Sequence, residues 1–183
     1  MPIQSFSRGL RQMKIASYVS PGSYGTAYTI LGARSMSVQI QMESEELRGD
    51  DVVIDRHSKA VSATFTLAYA SVDLSALDIL LGGTLVSNAS YEDFLIGQDD
   101  NTPYFAVAGR VVSSGGTTDL HLFAGHCKIS GAVSYQAQLD TYIIPSLEVQ
   151  AVYDNAAAGI MRFRQYTALT ALEIPLRTTT GGL

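Results

Sequence analysis

The sequence predicts a mainly β protein, a β-sandwich or open barrel of two packed sheets with one flanking α-helix at about residues 73–81. Three observations carry that prediction. Two stretches alternate between apolar and polar residues. In the first, Met36, Val38, Ile40 and Met42 stand against Ser35, Ser37, Gln39, Gln41 and Glu43; in the second, Val61, Ala63, Phe65, Leu67 and Tyr69 stand against Ser62, Thr64, Thr66 and Ala68. A period of two puts each set on its own side of a strand, so one side is core and the other is wet. Further along, residues 104–112 and 118–123 flank the turn residues Ser113-Ser114-Gly115-Gly116, a hairpin signature. A single stretch has helix punctuation: Asp73 caps the start, Leu74, Leu77 and Leu81 pack on one side, and Gly82-Gly83 stop it.

Taken in order, residues 1–10 show no period and read as an N-terminal arm. Residues 10–19 alternate weakly, with Met13 and Ile15 on one side and Lys14 and Ala16 on the other, which suits a first strand; Ser-Pro-Gly-Ser-Tyr-Gly at 20–25 is turn chemistry. The strand at 35–43 runs into residues 43–59, where Glu43, Glu45, Glu46, Asp50, Asp51 and Asp55 meet Arg48, Arg56, His57 and Lys59. Such charge density reads as a long solvated loop. After the strand at 61–69 and the helix, residues 84–100 are polar and turn-rich and read as an exposed loop. Beyond the hairpin, residues 128–135 read as a shorter strand, 136–141 stay open between strand and loop, and 147–153 and 159–166 alternate as further strands. Residues 175–183 read as a C-terminal tail, and residues 1–183 as a single domain.

Composition narrows the function. Only 16% of residues are charged and 46% are hydrophobic, with ten tyrosines and no tryptophan, lean in charge for a monomer of this size. Part of that uncharged surface is expected to meet other chains. A net charge of −5 argues against a protein that grips nucleic acid, since phosphate affinity comes from clustered Lys and Arg. The lone Cys127 has no internal disulfide partner and no secretory leader is seen, so folding is expected in a reducing cytoplasm. The longest apolar runs are too short to span a bilayer, and no membrane partner is expected.

Catalytic and metal chemistry leave no signature. The histidines are His57, His121 and His126; His121, Phe123, Gly125 and Cys127 would share one strand face, short of the four tightly spaced ligands of a structural zinc site. There is no Walker loop, GxGxxG or GxSxG, and the carboxylates lie mostly in polar stretches. No enzyme activity, catalytic residue, metal or cofactor is expected.

An acidic stretch ending in Gly49-Asp50-Asp51, an alternating strand, then a leucine-rich helix ending Leu80-Leu81-Gly82-Gly83 resembles the tail tube, or major tail, proteins of long-tailed bacteriophages. The resemblance extends over about residues 11–174. It implies hexameric rings that stack into a hollow tube, a conduit for genome delivery into the host. It also implies a place in the virion tail after assembly in the host bacterial cytoplasm. The implied partners are further copies of the chain, a tape-measure protein, a tail terminator and tail-tip or baseplate proteins, with double-stranded DNA passing through the lumen without specific binding. On this reading the 43–59 loop makes inter-ring contacts through Glu43, Glu45, Glu46, Arg48, Asp50, Asp51, Asp55, Arg56 and Lys59. Ser35, Ser37, Gln39, Gln41 and Glu43 face the lumen, offering no fixed cation on which a phosphate would pause. The alternatives are a tail terminator or a type VI secretion-like tube ring protein and, from another class, a β-sandwich that binds carbohydrate or another small molecule on its tyrosines.

Overall fold

In the computed structural model, which describes residues 7–49, 52–70, 73–98, 100–134, 146–155 and 159–176, the alternating stretches become strands of one large sheet. The elements are β1 (Ser7–Ser20), β2 (Ser23–Tyr24), β3 (Tyr28–Ile30), β4 (Ala33–Gly49), β5 (Val52–Tyr69), α1 (Leu74–Leu81), β6 (Thr84–Ser87), β7 (Glu92–Leu95), β8 (Phe105–Ser113), β9 (Asp119–Ile129), β10 (Ser146–Ala151) and β11 (Arg162–Tyr166). The sheet runs β2-β1-β8-β9-β10-β5-β4, with β3 also on β1 and β11 also on β9; every pairing is antiparallel. The two expected layers are therefore halves of one sheet that folds over, bringing β1 against β4 from opposite ends of the strand order.

The corner lies in β9. Its first half pairs with β11 (Arg162↔Phe123 to Tyr166↔Asp119) and its last three residues with β10 (Cys127↔Ala151 to Ile129↔Val149). Between them Phe105 pairs with Cys127 but Val107 with Ala124, so β9 carries one extra residue at Gly125–His126, a bulge that bends the strand. The bulge also flips the alternation. Cys127 joins Ala124 in the main core while Phe123 packs on the other side, which overturns the expectation that His121 and Cys127 share a face.

The main core holds Met13 and Ile15 of β1, Ala63, Phe65, Leu67 and Tyr69 of β5, Phe105 and Val107 of β8, and Val149 of β10, all at most 1% exposed. Burying a side chain such as Phe65 contributes about 1.5–3 kcal/mol. Val61, placed by its spacing in the same stripe, lies past the core edge and is exposed. A second, smaller cluster joins Ala106, Ala108 and Phe123 to Leu172 and Leu176, so residues 167–176 form a strap across the outer side of β8 and β9. Leu176, expected in the C-terminal tail, is thus packed on the sheet; residues 177–183 and 136–141 lie outside the described residues.

The helix has the expected ends. Asp73 Oδ1 accepts the Ser75 and Ala76 N–H groups, and Gly82 closes the helix at φ 71°, with Pro103 so near that a Cβ there would lie 2.7 Å from its Cδ. Its packing stripe is rotated from the one expected. Ala76, Leu77 and Leu80 are buried, whereas Leu74 and Leu81 flank them half-buried, because an eight-residue helix turns an i, i+1, i+4 set toward the sheet. Residues 84–100 hold β6 and β7, a small separate hairpin (Thr84↔Leu95 to Ser87↔Glu92) rather than a loop throughout; Asn88 Oδ1 accepts the Ser90 and Tyr91 N–H groups at its turn. The strand expected at 128–135 is instead the end of β9, followed by a bridge from Ser134 to Ser146. Residues 7–10 of the expected arm belong to β1.

Candidate functional site

The 43–59 segment is not a loop. It is the outer half of the β4–β5 hairpin, paired from Gln41↔Ser62 to Gly49↔Val52; Asp50 and Asp51, between the strands, lie outside the described residues. Pairing with β10 ends at Ala63, so outward from Ser62, among the described residues, strand β5 has β4 alone beside it. At about 3.3 Å per residue such a ribbon reaches roughly 30 Å from the body.

Its charges explain why it forms. Acids come first and bases last, the order that an antiparallel hairpin converts into opposite charges across the strands. Glu43 sits opposite Lys59 with Nζ to Oε2 at 3.2 Å, Glu46 sits opposite Arg56 and binds it through Oε1, and Arg48 reaches Glu46 Oε2 at 3.0 Å. The Arg56 guanidinium first, and Arg48 second, hold the Glu46 carboxyl below its ordinary range. Glu43, Glu46, Arg48, Arg56 and Lys59 are thus engaged within the chain. Glu45 lies opposite His57, and Asp55 opposite Leu47, with Asp55 Oδ1 accepting the Arg56 N–H.

The apolar residues of the ribbon have no such cover. Met42 is 59% exposed, Leu47 62%, Val52 64% and Ile54 66%. Register slips by one residue at Val61 and again at Ile54, and both extra residues are exposed aliphatics. At the ribbon's root an open groove of about 390 Å³ lies among Ile40, Ala60, Tyr153, Ile160, Met161 and Phe163.

The second surface is the wet side of the sheet at that root. Ser35, Ser37, Gln39, Gln41 and Glu43 are all exposed on one side of β4, opposite to Met36 and Val38, which pack on the core. Register extends the row across the sheet. Ser37, Thr66 and Glu148 align, as do Gln39, Thr64, Gln150 and Lys128, and Gln150 Nε2 donates to Ser62 Oγ at 3.4 Å. The result is a broad surface of hydroxyls and amides over β4, β5 and β10, with Glu43, Glu148 and Lys128 as its charges. Sequence showed each strand's polar side but not which strands would be neighbours, so the contributions of Thr64, Thr66, Glu148 and Gln150 to one surface were missed.

Elsewhere the ionisable groups are spent on packing. Burial raises the Cys127 thiol far above its usual range, and Cys127 Sγ donates to the Ala124 carbonyl at 3.6 Å. Tyrosines that are spread along the sequence gather in space. Tyr18 stacks on His126 with ring centres 4.6 Å apart, and Tyr24 and Tyr104 meet Tyr18 edge-on at 6.0 and 6.4 Å. These rings pack on one another. Tyr24 also donates to Asp154 Oδ2 across Gly125, and burial first, then that bond, raises its hydroxyl well above the usual range. Among the described residues no group of three or more His, Cys, Asp or Glu side chains is placed to hold a metal ion, and no helix is long and apolar enough to cross a membrane.

No protein-family model and no curated protein matches the chain. Among solved structures it is similar to a chain in the cryo-EM structure of the anti-feeding prophage cap, described as the AFP tube-terminating cap. That match has a TM-score of 0.45 and 10% identity, covering 91% of this chain and 93% of that one. It is also similar to a chain of the anti-feeding prophage baseplate, with a TM-score of 0.41 and 11% identity over 90% of this chain and 97% of that one.

Proposed function

We propose that the chain is a structural subunit of a phage-type tail. Copies close into hexameric rings, and the rings stack into the hollow tube through which the genome passes into the host. The observation that carries this reading is the ribbon: two strands extend past the body with their charges paired to each other and their aliphatics facing water. Among the described residues such an arm covers nothing in its own subunit, and an exposed apolar surface of this kind marks a contact with another chain. The tail itself comes from the sequence resemblance.

On this reading the ribbon, from Glu43 to Lys59, is the contact between rings. Its ion pairs hold the arm in shape, and Met42, Leu47, Val52 and Ile54 supply the contact area. The outer edge of β4, unpaired among the described residues, meets a neighbour within the ring, which removes an aggregation hazard. The surface of Ser35, Ser37, Gln39, Gln41 and Glu43, widened by Thr64, Thr66 and Gln150, lines the bore, and its hydroxyls and amides let DNA slide. A heterologous contact that closes gives the ring, and one that does not close gives the stack. The partners are the chain itself, a tape-measure protein, a terminator and tail-tip or baseplate proteins. The subunit has no catalytic role.

The test is negative-stain microscopy with light scattering on the whole chain and on a variant in which Asn-Gly joins Met42 to Ala60 in place of residues 43–59. The native chain should form tubes or stacked rings, and the shortened chain should keep its unfolding transition but form no tubes. Single rings that never stack move the reading to a tail terminator. A native chain that stays monomeric even with tail-tip components added overturns it.

A further inference from the structure

The strap of residues 167–176 is held by a polar cluster that the tube reading does not use. Asp119 and His121 of β9 have fully buried side chains, and Arg110 of β8 lies opposite His121. Asp119 Oδ2 accepts Arg110 Nε at 2.9 Å and the backbone N–H of Thr170, on the strap, at 2.6 Å. His121 Nε2 stands 3.7 Å from the same oxygen, too far for a hydrogen bond. Among the described residues, every buried side-chain nitrogen or oxygen without a hydrogen-bond partner falls here: Thr118 Oγ1, Asp119 Oδ1, His121 Nδ1 and His121 Nε2. Native folds leave few such atoms, and four gathered in one place single out a site whose polar groups are not all paired with one another.

We propose that Asp119, His121 and Arg110 form an acid-released latch, which holds the strap over β8 and β9 while His121 is neutral and frees it when His121 takes up a proton.

The charged and titratable groups beside His121 are Asp119 on its own strand, Arg110 on β8, and Arg164 opposite and Tyr166 with its ring centre 4.6 Å away on β11; Glu173 is the one ionisable residue of the strap sequence. Burial disfavours the imidazolium and Arg110 adds repulsion; these outweigh Asp119 and the Thr170 backbone, so the imidazole titrates below its usual 6.5. A group with a depressed basic pKa stabilises the closed state fully above the open-state value and loses that contribution as pH falls through 6.5 toward the closed-state value. Protonation supplies a second cation beside Arg110 in a dry site. Opening the strap rehydrates both and uncovers Ala106, Ala108 and Phe123, against which Leu172 and Leu176 pack.

Hydrogen–deuterium exchange of the intact chain, read by mass spectrometry on peptides spanning 167–176 and, as an internal reference, 63–68, tests this between pH 7.5 and 5.5. After correction for intrinsic rates, protection of the strap should fall about tenfold more than that of the reference by pH 5.5, the factor for a histidine protonated only in the open state. His121→Gln should abolish the difference and His126→Gln should leave it. A strap that tracks the reference at every pH in the native chain overturns the latch, as does a difference that persists in His121→Gln. If His121→Gln does not fold, the native profile decides: an extra loss that sets in as pH falls through 6.5 supports the latch, and one already complete above 6.5, or absent until below 5.5, overturns it.

Discussion

Strands β4 and β5 are continuous from the body to the tip of the ribbon, yet their two halves obey different physics. At the root, Val38 and Phe65 pair with Val149 on the far side of β5, and Phe65 is 0% exposed. Farther out, Leu47 pairs with Asp55 with no third strand beside them among the described residues, and Leu47 is 62% exposed. The alternation of apolar and polar residues is similar through Met42. What changes is whether a third strand and an opposing layer are present, and period-two sequence cannot report that. The root is held by burial, whereas the outer half is held by cross-strand hydrogen bonds and charge pairs, with its apolar side chains left for another surface.

Substitutions on either side of the boundary sharpen this contrast. Phe65→Ala, in the root, should cost about 3–5 kcal/mol, read as a lower urea midpoint. Gly82→Ala should cost about 1–2 kcal/mol in the same assay, since it strains a left-handed cap and drives a methyl at Pro103. Ile54→Ala, as large an aliphatic as many in the core, should change the free energy of unfolding by no more than about 0.5 kcal/mol. A loss comparable to that of Phe65→Ala would mean that the ribbon folds back on its own body. The smallest effect is local. Arg56→Ala should leave the midpoint unmoved while the Glu46 carboxyl, followed by NMR, rises toward its ordinary 4.5. The sign follows from a depressed acid: the pair contributes above 4.5 and is lost as pH falls through the lowered value, and solvent around the pair keeps that contribution small.

Particular residues show what was legible. The caps at Asp73 and Gly82, the turn at Ser113–Gly116 and the stripe Ala63, Phe65, Leu67, Tyr69 were readable because each depends on local geometry or period. Charge density in the 43–59 stretch reads as solvation and so hides that most of it is paired strand. Its ordering of acids before bases was the available sign of a hairpin, and it became meaningful only with the register Glu43↔Lys59 and Glu46↔Arg56. The bulge at Gly125–His126, which sends His121 and Cys127 to opposite sides, carries no such sign. It is imposed by the corner where β9 leaves β11 and joins β10. The buried cluster at Asp119 was invisible for a related reason: its members come from β8, β9 and the strap, and only the fold brings them together.

The pairing of Ile15 with Val107 has a consequence for synthesis. As the chain leaves the ribosome, the β4–β5 hairpin closes on itself early, whereas β1 must wait for β8, about 90 residues later. At about 5–20 residues per second that is a delay of about 5 to 20 seconds, during which Met13 and Ile15 have β3 on one edge but not yet β8 on the other. The earliest strand thus completes its pairing late, and its β8 edge stays open to chaperone capture until β8 arrives. Native contacts this distant in sequence also make the body slow to fold relative to the ribbon it carries.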